Sequence, residues 1–134
     1  MLPEAYIGGY PRGTAFGAVI GERPFQGREE FAKYFDQAVD LGDTVGAGAG
    51  AGAKWVKKQL PSDDDAPRGD GTREELEKIA SDTGVFIVTG IIERVGGSLY
   101  CAVVYVCPKA GIIGKRRKVM PVRAIPSSPL CVLI

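Results

Sequence analysis

A chain of 134 residues with 17 basic and 16 acidic side chains makes one domain with a modest core, and its balanced charge implies neither a nucleic acid nor an anionic membrane as partner. It has no histidine, which removes Ser-His-Asp, Cys-His and histidine–metal chemistry together and leaves carboxylate, amine, thiol or hydroxyl groups for any catalysis. No apolar run reaches the roughly 18 residues a membrane helix needs, and the first residues do not read as a signal peptide.

The chain begins MLPEAYIGGYPRG. Glu4 stands among apolar neighbours just ahead of Gly8-Gly9-Tyr10-Pro11-Arg12-Gly13, whose glycines and proline predict a tightly shaped loop. Taken alone, Glu4 is a solvated carboxylate near a chain start. Phe16 to Ile20 is apolar and Gly21 to Gly27 a polar loop. The spacing then predicts a helix over Arg28 to Val39, with Phe31, Phe35, Ala38 and Val39 on one apolar face, ended by Leu41-Gly42-Asp43. Val45 to Ala53 (VGAGAGAGA) reads as a flexible linker, Lys54 to Leu60 as a short helix around Trp55, and Pro61 to Gly71 as a polar surface loop. The Arg68-Gly69-Asp70 triplet in that loop is a chance match.

A second helix is predicted over Thr72 to Ser81. Thr72 and Glu75 form a capping box, Leu76, Ile79 and Ala80 the buried stripe, and Gly84 the stop. This helix leads straight into a buried strand, Val85 to Ile92, which is the order of an α/β layer fold. Gly96-Gly97-Ser98 turns the chain back into a strand over Leu99 to Cys107, and Pro108 to Gly111 turns it again into Ile112 to Met120. That third strand carries Lys115-Arg116-Arg117-Lys118 between apolar flanks, so at least one cation has a buried target. Both helices are expected on one face of this sheet. Cys101 and Cys107 lie six residues apart on one strand, about 20 Å at strand rise, too far to bridge. They suit buried thiols in a reducing, cytoplasmic compartment.

Two stretches together resemble the nitrilase branch of the carbon–nitrogen hydrolases. PEAYIGGYPRG is similar to the family's first signature, a Glu followed by a short apolar step and Gly-Tyr-Pro. TGIIERVGGSLYCAVVYV followed by GIIGKRRKVMP is similar to its hairpin and its Gly-Lys-x-Arg-Lys strand. The resemblance runs from about Leu2 to Pro121. It implies an α/β fold, part of a four-layer α-β-β-α sandwich, over residues 1–121, with a flexible insert at about 43–71 and a non-family tail at 122–134. It also implies a Glu-Lys-Cys triad needing no cofactor and no metal: Glu4 as general base, Lys118 as the cation stabilising the tetrahedral intermediate, and a small-molecule nitrile as substrate. A carboxylate serves as base without histidine when burial raises its pKa toward neutrality.

The family's nucleophilic cysteine follows the lysine by a few dozen residues in a Cys-Trp-Glu context. Here Cys131 has neither that spacing nor those neighbours, so the expectation is a piece short at both ends and inactive alone. The alternative is assembly: homo-oligomers, or a partial subunit docking on full-length nitrilases. If the family roles hold, Glu4 and Lys118 converge, while Lys115 and Arg117 leave their strand on the other face or at its rim.

Overall fold

The computed structural model describes residues 1–9, 25–43 and 69–119. The loop from Tyr10, the Phe16–Ile20 run, the Gly/Ala linker, the Trp55 segment, most of the acidic loop and the tail with Cys131 lie outside the described residues. The described part is a small α/β unit of two helices, α1 (Phe25–Asp36) and α2 (Thr72–Thr83), and three strands, β1 (Ile87–Val95), β2 (Ser98–Cys107) and β3 (Gly111–Arg117). The strands form one antiparallel sheet in the order β1-β2-β3.

The two Gly-containing turns close hairpins as their sequence demands. Ile91 pairs with Ala102, and Ile92 with Cys101. Successive residues of a strand point to opposite faces, so these pairs start two separate cores. On the first face Ile91, Ala102, Val104, Val106 and Ile112 pack with Leu76 and Ala80 of α2 and with Val39 and Leu41. On the second, Ile92, Leu99 and Cys101 pack with Ala5, Ala38 and Tyr34 of α1. The helices therefore serve opposite faces, not the single face expected. β1 is covered on both sides, as its unbroken apolar run requires, but it starts at Ile87, leaving Val85 and Phe86 exposed.

Both helices depart in detail from their sequence patterns. α1 ends at Asp36, and Val39 lies beyond it, donating its N–H to Ile92 O and accepting from Arg94 N beside β1. A β-branched residue next to an open strand edge makes better use of its backbone there than in a helix. Tyr34, not Phe31, is the buried aromatic of α1. In α2, Thr72 is already helical, so no capping box forms. Asp70 Oδ1 instead accepts from Thr72 N at 2.9 Å, while Oδ2 accepts from Asp40 N at 2.9 Å. The buried stripe is Arg73, Leu76 and Ala80, and Ile79 faces outward. The stop at Gly84 is as expected, with φ 69°.

β3 contains one irregularity that matters below. Tyr105 pairs with Gly114 but Val106 with Ile112, so Ile113 is an extra residue. This bulge lets Ile112 enter the first core and still returns Lys115 and Arg117 to that same face.

Candidate active site

The first residues lie alongside β1. Leu2 N donates to Val88 O at 2.8 Å, Ile7 N donates to Gly90 O, and Ile92 N to Ile7 O. Between these rungs the chain turns at Glu4–Ala5, with Ala5 at φ 52°. Glu4 thus sits in a turn and not at the end of a strand. A left-handed alanine costs about 1 kcal/mol or more and persists where its surroundings over-determine it. Here the surroundings are β1 itself. A Cβ on Gly90 would lie 2.5 Å from Pro3 O and 2.7 Å from Glu4 Cα, so the turn rests on bare backbone.

Lys118 follows the last residue of β3. Its N–H donates to Cys101 O at 2.8 Å, and its Nζ donates to Glu4 Oε1 at 3.1 Å and Oε2 at 3.3 Å. Two residues 114 positions apart therefore meet on the second face of the sheet. The pair borders a cavity of about 300 Å³ whose lining includes Leu2, Val88, Cys101, Val103 and Arg116. About half of the Glu4 side chain and a third of the Lys118 side chain remain exposed. A partly exposed pair of this kind contributes only about 0–1 kcal/mol; the backbone bonds of the two segments, not the ion pair, hold them together here. The described residues also leave Glu4 open to solvent, and the burial expected of a general base is not supplied by them.

Cys101 is buried at this cavity; Cys107 lies at the other end of β2, half-buried, and both are thiols. Cys131 lies outside the described residues.

The opposite face holds the target expected for a cation of β3, an acidic pair whose members, Glu93 and Asp43, were not singled out from the sequence. Glu93 accepts hydrogen bonds from Arg117 Nε at 2.7 Å and Arg117 Nη2 at 3.0 Å, and is also bonded by Lys115 Nζ. Lys115 also binds Asp43, which lies 3.6 Å from Arg117. The Arg117 guanidinium stands 4.1 Å over the Tyr100 ring. The side chains of Asp43, Glu93 and Lys115 are buried. Burial pushes the Asp43 carboxyl up, further than Lys115 pulls it down. Burial pushes Glu93 the same way, but Arg117 and Lys115 together outweigh it and hold this carboxyl below its ordinary range. Glu93 in turn raises Arg117. The signal for this cluster was present in the sequence: Glu93 is the only charged residue on its face of a largely apolar strand, and a buried acid must find cations. Lys115 and Arg117 thus take the face opposite Lys118, as alternation requires.

Comparisons with known proteins give the family of this α/β unit. Residues 1–132 match the carbon–nitrogen hydrolase family, and the chain belongs to that family, in its nitrilase branch. It is 37% identical over 121 residues to an arylacetonitrilase of Trametes versicolor, covering 90% of this chain and 29% of that protein. It is 37% identical over 124 residues to an aliphatic nitrilase of Sinorhizobium fredii, covering 92% and 31%. A bifunctional nitrilase/nitrile hydratase of Nicotiana tabacum is 36% identical over 124 residues, with 90% and 27% covered. The chain therefore spans less than a third of the length of these relatives.

Proposed function

We propose that this chain carries the base and the cation of a nitrile-hydrolysing site. Glu4 takes the proton of an attacking thiol, and Lys118 stabilises the negative charge that develops as the thiolate adds to the nitrile carbon. A nitrile is a poor electrophile, so each of the three groups is needed. The observation that carries this reading is the Glu4–Lys118 contact at 3.1 Å, made by two segments at opposite ends of the described chain. Its support beyond geometry is the similarity to proteins named nitrilases. In this reading the sheet is part of the four-layer α-β-β-α sandwich implied for the family, and the compartment is the reducing cytoplasm that suits the two thiols.

The same reading leaves the 134 residues inactive by themselves. The sequence contains no Cys-Trp-Glu. Cys101 is held in the packed face of the sheet, and Cys107 is about 20 Å further along the same strand. The test is ammonia release from aliphatic and aromatic nitriles by the purified chain. No turnover is expected. Turnover that persists with all three cysteines replaced by alanine, yet is lost on Glu4→Gln, would show that water and not a thiol is the attacking group.

A further inference from the structure

Lys118 can meet Glu4 only if β3 presents the correct face at the correct height, and little on its own strand guarantees that. Among the described residues β3 has a strand neighbour on one side only, β2. The bulge at Ile113 already shifts its register on β2 by one residue between Tyr105 and Val106. A slip of one residue would turn Lys118 and Arg116 to the first face and Lys115 and Arg117 to the second. The backbone holds the end of β3 through the bond from Lys118 N to Cys101 O. The side chains hold it through Glu93.

We infer that Glu93 is a positioning residue for Lys118: by gripping Lys115 and Arg117 from β1, it fixes the facing and the end point of β3, so that Lys118 lands on Glu4. The inference rests on the reading of Glu4 and Lys118 as a functional pair. Glu93 lies on β1, and its partners lie on β3, so the grip passes over β2. Ala102, the smallest residue on that face of β2, pairs with Arg117 and leaves the path open. Asp43 joins from the segment after α1 and holds Lys115 from a second side. Buried ion clusters are weak sources of stability, because desolvation offsets the attraction; their best-attested use is to fix register. β1 thus seats both halves of the pair. Gly90 admits the turn that bears Glu4, and Glu93, three residues on, fixes the strand that bears Lys118.

The test reads the pair directly and needs no catalysis. The rate at which the Lys118 amine is acylated is measured by mass spectrometry against Lys109, which is exposed on the turn before β3. In the unaltered chain, Glu4→Gln should raise the relative rate by about two- to fivefold, the range for a partly exposed ion pair. In the Glu93→Gln background Lys118 should already react at the raised rate, and adding Glu4→Gln should change nothing. Arg117→Lys keeps the charge at a partly exposed site but loses the two-pronged grip; it should shrink the Glu4→Gln effect and keeps the test open if Glu93→Gln does not fold. A role for Glu93 in stability alone would lower the unfolding midpoint and leave the Glu4→Gln effect intact in every folded variant, which would overturn the inference while leaving the pair standing. No effect of Glu4→Gln in the unaltered chain would overturn the pair itself, and the inference with it.

Discussion

Gly90 is bare because the chain's first turn occupies the space a side chain would need. Its nearest neighbours are backbone atoms of Pro3 and Glu4, which have no rotamer by which to move aside. Gly90→Ala should therefore cost about 1–3 kcal/mol, as overpacked sites do, and should also lift Glu4 away from Lys118. Urea unfolding gives the first effect, and the second appears as faster acylation of Lys118. At this scale the sequence was informative about identity more than about setting. Glu4 and Lys118 stood out through the motifs around them. The left-handed Ala5, the approach to Gly90 and the grip of Glu93 depend on contacts between residues far apart in the chain, which no local pattern records. A glycine on one face and an acid on the other face of one largely apolar strand were still visible signs that something approaches it from each side.

The elements were legible in kind and order, and shifted at their ends. Among the described residues, the three strands and two helices occur where apolar periodicity and turn residues place them. The errors fall where a distant partner decides. Val39 leaves the helical pattern because the edge of β1 takes its backbone, and in α2 Arg73 is buried while Ile79 is exposed, on a helix whose Glu77 accepts from Ile112 N of β3. The start of α2 gives a clean discrimination. Asp70 caps Thr72 and ties Asp40 to the same point, so Asp70→Ala should destabilise the chain by about 1 kcal/mol, the usual worth of a cap. Thr72→Ala should stay within about 0.5 kcal/mol. Thermal unfolding of the two variants decides between this cap and the capping box, which reverses their order.

At the scale of the described molecule, two cores on opposite faces of one sheet carry two charged groups with different tasks: an open pair on one face, and a buried cluster on the other. The cluster should show itself in the pH dependence of stability. Glu93 is held below its ordinary 4.5, so its contribution is complete above that pH and is lost as pH falls through the lowered value. Asp43 is held above its ordinary 3.8, so its contribution is complete below that pH and is lost as pH rises through the raised value. Glu93→Gln should therefore flatten the loss of stability on acidification below 4.5, and Asp43→Asn should remove the opposing loss on the way up; urea midpoints across this range measure both. The most direct trial of the central claim puts Glu4 and Lys118 to work in a complete protein. Replacing the matching 121 residues of the Trametes versicolor arylacetonitrilase with those of this chain creates a chimera that can be assayed for arylacetonitrile hydrolysis. The chimera should turn over, and Glu4→Gln or Lys118→Met should each lower its rate by about a hundredfold or more, as loss of a general base or of charge stabilisation does. A chimera that keeps its rate with either residue replaced would contradict the assignment of this pair.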